Sequence, residues 1–217
     1  MKAYKGVCFD FDYTLGDSTA SIIEGFRYGL TQMGWPEPDP EAVRGTIGYL
    51  LEDAYTMLTG DADPAHRAQF RPLFLSIAKP RQKEETVLFD GAVELIRGLH
   101  GRGIQTSIVS TKSRDTIEYI MHRYGLSDAL TTIVGTEDVK RPKPDPQGLN
   151  MALERMGLSP KELLFCGDTV LDAGAAKNAG CPFCAVLNGT TPAEDFADFR
   201  PVHIAPDLFE LRQWLEG

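Results

Sequence analysis

Two aspartates separated by one residue, Asp10 and Asp12, close the first apolar run of the chain. Carboxylates two apart at the end of a strand project to one side, into the crevice where open parallel sheets bind ligands. Asp is also a frequent helix cap, a role that suits Asp17 better than Asp10, which follows Val7, Cys8 and Phe9 in what reads as a central strand. A buried carboxylate there is costly unless it is paired or bound to a metal. Three later segments carry complementary groups. Ser110 and Thr111 follow the apolar pair Ile108 and Val109 and lead into a helix whose free N–H groups can hold an anion; Ser and Thr are equally the commonest helix starters. Lys140, Arg141 and Lys143 share a loop in which Pro142 and Pro144 flank Lys143. Such a cluster is ordinarily solvated, but the prolines fix the backbone and allow the ammonium to be aimed. Asp168 and Asp172 follow Gly167, a residue that permits an unusual turn, and open a helix on one face of which both can lie. Taken alone, Asp172 needs no role beyond compensating the helix dipole.

The elements that must position these groups follow from the hydrophobic pattern. Apolar runs of strand length recur at residues 6–11, 105–109, 131–135, 163–167 and 183–187, with helical patterns at 91–100, 113–124, 146–156 and 172–179. This alternation predicts a Rossmann-like α/β core, a mostly parallel sheet covered on both faces. Residues 17–83 break the rhythm and read as helices at 18–33, at 41–60 in two pieces, and at 64–79, with turn chemistry at 36–40 and 60–64. The expectation is an all-helical domain of residues 17–83 inserted into a core of residues 1–16 and 84–217.

Composition narrows the partners. At 217 residues the chain can bury a full core, and its formal charge of −9 argues against nucleic acid or an anionic membrane surface, both of which need a basic footprint. An anionic ligand would have to be met locally by placed lysines and a divalent cation. No apolar run approaches a membrane span, and the first residues enter a strand pattern without the apolar stretch of a signal peptide, so the expected compartment is the cytoplasm. Of the four cysteines, Cys8 and Cys166 lie in apolar runs as small hydrophobes. Cys181 and Cys184 form a CxxC that follows a helix instead of opening one, and are expected to be incidental rather than redox-active.

Taken in order, these segments resemble the motifs of the haloacid dehalogenase superfamily, in its phosphatase branch with a helical cap inserted after the first strand. The matching stretches are DFDYTLGDS at 10–18, IVSTK at 108–112, KPDP at 143–146 and GDTVLDAGAAKNAG at 167–180, with FDGAVELIRGL at 89–99 like the return from cap to core. Each is common alone; together and in order they are specific. Tyr13 departs from the pattern, which usually has a small residue there, and its ring could crowd the loop or cover substrate. The resemblance implies that Asp10 is a nucleophile forming an aspartyl-phosphate, and that Asp12 is the general acid and then the base. It implies that Ser110, Lys143 and N–H groups near Thr111 take up phosphoryl charge. It further implies Mg²⁺ held by the Asp10 and Asp168 carboxylates and the Asp12 carbonyl, with Asp172 at the edge of that shell. The implied substrate is a small phosphorylated metabolite, with Arg44, Thr46 and Tyr49 of the insert as candidates for touching its organic part. The sequence resembles phosphoglycolate and pyrophosphate phosphatases of this branch more than its sugar mutases, chiefly in the STK motif and the length of the insert. The alternatives are a β-phosphoglucomutase-type phosphomutase, which keeps both aspartates, and a 2-haloacid dehalogenase, whose pattern lacks the second one. A binding module without turnover is the reading from another class, and the oligomeric state is not specified by these residues.

Overall fold

A computed structural model describes residues 4–217. The chain forms two compact units, one running up to Gly16 and resuming as Leu88–Gly217, the other being Asp17–Val87. It opens with strand β1 (Gly6–Phe9), passes through the two-residue β2 (Gly16–Asp17) into helices α1 (Thr19–Gln32), α2 (Pro40–Arg44), α3 (Leu51–Thr59) and α4 (Pro64–Glu85), and returns by β3 (Val87–Leu88). From there α5 (Ala92–Gly101), β4 (Gln105–Val109), α6 (Arg114–Arg123), β5 (Thr132–Val134), α7 (Gln147–Met156), β6 (Leu163–Gly167), α8 (Val170–Ala179), β7 (Phe183–Val186), β8 (His203–Ala205) and α9 (Leu208–Glu216) follow. Among the described residues no helix is long and apolar enough to cross a membrane.

Six strands form one sheet in the order β5-β4-β1-β6-β7-β8, with every neighbouring pair parallel. The α/β parallel architecture expected from the alternation is therefore present. Side chains alternate across the central strand: Phe9 points into an apolar layer with Leu95, Ile117 and Leu211, and Cys8 into the opposite layer with Leu149, Phe165 and Ala176. Burial on both faces is why β1 reads as an unbroken apolar run. In register, Phe9 stands opposite Ile108 of β4 and Cys166 of β6. The residues that follow these strands are thereby delivered to one edge of the sheet, where strand order reverses and ligands bind.

The structure departs from the sequence reading in four elements. Strand β1 stops at Phe9 because the next residues turn back on themselves: the Phe11 carbonyl accepts from Leu15 N at 2.9 Å and Gly16 N at 3.0 Å. Strand β8 and helix α9 lie beyond the last expected run. Helix α4 continues past residue 79 to Glu85, through Pro72 and Pro80. A proline inside a helix costs about 3 kcal/mol, and tertiary packing offsets it, since Phe70, Phe74, Ala78 and Gln82 bury one stripe at intervals of four.

That stripe meets α1 where glycine allows close approach. A Cβ on Gly25 would lie 2.7 Å from the Ala78 Cβ, and one on Gly29 2.6 Å from the Phe70 ring. Phe26 packs on Phe70 and Phe74 with ring centroids 5.3 and 5.0 Å away. The turn chemistry before α2 and α4 resolves into caps, Asp39 accepting from Glu41 N and Asp63 from Ala65 N, each with proline at the first helical position.

Candidate active site

Asp10 is buried, and its backbone N–H donates to the Cys166 carbonyl at 2.9 Å, which ties it to β6. Lys143 reaches it from the proline loop, with Nζ 3.0 Å from Asp10 Oδ1 and 2.6 Å from Asp172 Oδ1. The contact to Asp10 is an ion pair outside hydrogen-bond alignment, leaving that oxygen with no hydrogen-bond donor. The loop is fixed at several points: Gln147 Oε1 accepts from Lys140 N and Arg141 N at 3.1 and 2.9 Å, and Asn178 donates to the Pro144 carbonyl at 2.9 Å. A Cβ on Gly174 would sit 2.8 Å from Pro144, so glycine lets the loop lie on α8.

Asp168 is held by Thr14, whose hydroxyl donates to Oδ1 at 2.9 Å, and Asn188 in turn donates to the Thr14 carbonyl at 3.3 Å. Gly189 passes so close that a Cβ would clash with the Asp168 carboxylate. Asp172 has donors on both oxygens, Lys143 on Oδ1 and Thr169 N and Oγ1 on Oδ2 at 3.0 and 2.6 Å. It therefore caps α8 and anchors Lys143 at once. The role of Gly167 is steric, not torsional as the sequence suggests: its φ is not positive, and a Cβ would lie 2.5 Å from the Asp172 Cβ.

Asp10, Asp168 and Asp172 each offer a carboxylate oxygen, all within 4.8 Å of one another. Burial pushes the Asp10 carboxyl up to about 6, against the pull of Lys143, with Asp172 pushing it further and Ser110 drawing it down. Asp168 is raised well above the carboxylate range by burial and then by Asp172 and Asp10, while its hydrogen bond from Thr14 opposes this. Burial works against the charge of Lys143, yet Asp10 and Asp172 outweigh it and hold the ammonium above the usual lysine range. A hard divalent cation fits such a set of clustered oxygens, one of them lacking a donor, and would relieve its repulsion.

Asp12 lies outside this cluster. Its Oδ2 is 3.0 Å from Lys112 Nζ, with side chains 12% and 3% exposed. Ser110 is buried at the end of β4, its N–H donating to the Val134 carbonyl at 3.0 Å, and Thr111 is half-buried beside it. Arg44, Thr46 and Tyr49 belong to the helical unit, Arg44 as the last residue of α2 and the other two just after it. There Arg44 pairs with Glu41 at 3.6 Å, Thr46 is buried with its hydroxyl donating to the Val43 carbonyl at 2.8 Å, and Tyr49 N–H donates to the Thr46 carbonyl at 3.2 Å. Sequence reasoning passed over Lys112, Thr14 and Gly189. Both Lys112 and Thr14 stand inside motif segments, and a lysine following an apolar strand was the available signal. Tyr13, the residue that departs from the motif, is buried with φ +59°, the left-handed region that favours glycine.

All four cysteines are free and buried. Burial pushes Cys181 up to about 11 and Cys8 and Cys166 above the thiol range, the opposite of a reactive dithiol.

Comparison with known proteins identifies the family of the chain. The family profile described as haloacid dehalogenase-like hydrolase matches residues 7–186. The chain is 27% identical to phosphoglycolate phosphatase of Vibrio cholerae over 218 residues, covering 97% of this chain and 96% of that protein. It is 27% identical to pyrophosphatase PpaX of Bacillus velezensis over 210 residues, covering 97% and 95%. A solved haloacid dehalogenase-like protein of Bacteroides fragilis superposes with a TM-score of 0.92 at 35% identity, covering 96% of this chain and 99% of its own. With strand ends, buried acids and family profile in agreement, the chain belongs to the haloacid dehalogenase-like hydrolase family.

Proposed function

We propose that this hydrolase is a Mg²⁺-dependent phosphatase of a small organic phosphate, acting through a phosphoryl group carried on Asp10. The observation that carries the reading is the separation of two neighbouring aspartates into different surroundings, Asp10 in the buried cluster on Lys143 and Asp12 on its own lysine. Carboxylates placed in unlike environments divide nucleophilic and acid–base work.

An Asp10 oxygen attacks phosphorus, and the bond to the leaving oxygen breaks as Asp12 gives it a proton. Water then attacks the phosphorus of the aspartyl-phosphate, Asp12 takes the proton from that water, and inorganic phosphate departs with Asp10 restored. Lys143 and Ser110 stabilise charge on the transferring oxygens, and Asp172 keeps Lys143 in place. A Mg²⁺ ion held by the Asp10 and Asp168 carboxylates and the Asp12 carbonyl would supply neutralising charge to the cluster and the incoming phosphate. The names of the relatives, phosphoglycolate phosphatase and pyrophosphatase, favour a compact substrate with a second anionic group close to the phosphoryl group.

The test is a panel of small phosphate esters and anhydrides, including phosphoglycolate, pyrophosphate and an aryl phosphate, with Mg²⁺ and with chelator. Phosphate release that chelator abolishes is expected. Halide release from 2-haloacids, or isomerisation of a sugar phosphate without net phosphate release, would replace this reading with a dehalogenase or a mutase.

A further inference from the structure

We propose that Lys112 is a positioning residue of the reaction, holding Asp12 in place and acting through it rather than on the phosphoryl group. The inference rests on the phosphatase reading, in which Asp12 carries the proton.

A buried ammonium is expensive unless it is paired. The Lys112 side chain is 3% exposed, its Nζ stands 3.0 Å from Asp12 Oδ2, and the Phe11 ring lies beneath it with its centroid 5.8 Å away. Its backbone is fixed as well, since its N–H donates to Ser110 Oγ at 3.3 Å and its carbonyl accepts from Thr136 N at 3.1 Å. On the other side, Asp12 sits on the tight turn in which Tyr13 N donates to the Gly16 carbonyl at 2.9 Å. The pair is thus a rigid strut between the loop after β1 and the loop after β4.

Lys112 holds one carboxylate oxygen, and the other, Asp12 Oδ1, is buried without a hydrogen-bond partner. A proton carrier needs this asymmetry, with one oxygen fixing the orientation and the other left to exchange a proton. The site accordingly uses two lysines for two aspartates: Lys143 is committed to Asp10 and Asp172, and Lys112 to Asp12.

A double-mutant cycle of Lys112→Met, Asp12→Asn and the combination separates the possibilities, with kcat and KM measured for an alkyl and an aryl phosphate. Lys112→Met should lower kcat/KM for the alkyl ester by on the order of 100-fold, the cost of misplacing a catalytic group, with KM within about threefold of wild type. The loss should shrink for the aryl ester, whose leaving oxygen needs little protonation. In the Asp12→Asn background the same change should cost less than about twofold, because residues that act as a unit fail together. Additive losses in both backgrounds, or a loss residing in KM, would show that Lys112 binds substrate directly and overturn the proposal. So would a Lys112→Met enzyme within about twofold of wild type. Should the single variant fold poorly with its unpaired carboxylate, Lys112→Arg keeps the charge but displaces it, and must show the same dependence on Asp12. Full activity of Asp12→Asn alone would instead overturn the acid–base reading on which this inference rests.

Discussion

Replacing Thr14 by valine would keep a branched side chain in place and remove one hydroxyl, the donor to Asp168 Oδ1 at 2.9 Å. The residue is fully buried, so water cannot stand in for the lost donor. A hydrogen bond to a charged acceptor contributes about 1.5–3 kcal/mol, which at 1.4 kcal/mol per decade is roughly ten- to a hundredfold in an equilibrium constant. Loss of an outer partner of a metal ligand costs about 10–100-fold in affinity, and the two routes to the magnitude agree. The direction follows from the site: the Thr14 bond opposes the burial and repulsion that raise Asp168, so without it protons compete better with the cation. Calorimetric titration of chelator-stripped protein should therefore show Mg²⁺ binding weakened by about 10–100-fold in Thr14→Val and nearly unchanged in Thr14→Ser. At saturating Mg²⁺ the turnover number should recover to within about threefold of wild type. An unchanged Mg²⁺ affinity accompanied by collapsed turnover, or equal losses in the serine and valine variants, would refute the idea that Thr14 acts through Asp168.

Asp10→Asn should abolish phosphoenzyme and turnover, and Asp12→Asn should slow turnover by roughly two to four decades. With an activated aryl phosphate, intact-mass measurement after acid quench should find one added phosphate on Asp12→Asn and none on Asp10→Asn; the opposite labelling would reverse the roles. A third expectation concerns pH. The Asp10 carboxyl is raised to about 6 in the folded state. Between about pH 4 and 6 the native protein therefore holds a proton that the unfolded chain has released, and the penalty for ionising Asp10 is absent below that window and complete above it. A cation that relieves this penalty should raise the melting temperature more at about pH 7.5 than at about pH 5. An equal Mg²⁺-induced shift at both values would exclude these carboxylates as the binding groups. Gly25→Leu should destabilise the helical unit by about 1–3 kcal/mol or more, because its first side-chain atom already meets Ala78 at 2.7 Å, as denaturant unfolding would measure. A neutral result would contradict the close α1–α4 packing.

The parts of the fold that were legible are those whose signal is local. Strand β1 announces its central position through Val7, Cys8 and Phe9, because burial on both faces forbids a polar alternation. Strand β8 gives no such signal: His203–Ala205 is three residues at the sheet edge, with Ile204 exposed and His203 paired with Glu210 at 2.7 Å. Helix α4 conceals its length behind Pro80, since the stripe that sustains it is satisfied by glycines far off in sequence on α1. The site divides in the same way. Asp10, Asp168 and Lys143 could be picked out from strand ends and prolines. Lys112 could not be assigned, because its meaning depends on Asp12, a hundred positions earlier, and only the parallel pairing of β1 with β4 brings the two segments together.

The charges gathered at the site bear on how an acidic protein would receive the proposed anionic substrate. Asp10, Asp12, Asp168 and Asp172 bring four carboxylates to one sheet edge, and Lys143 and Lys112 answer only two of them. A phosphate dianion approaching the two uncompensated charges would meet repulsion of about 4 kcal/mol for each pair of unit charges at 4 Å, taking an effective dielectric constant near 20. Burial and mutual repulsion push the Asp10 and Asp168 carboxyls upward, so that ionising them is costly. One divalent ion would balance the two leftover charges, relieve the cost of ionising these carboxylates and lower the barrier to an anionic substrate, so the proposed metal dependence agrees with the charge count of this site.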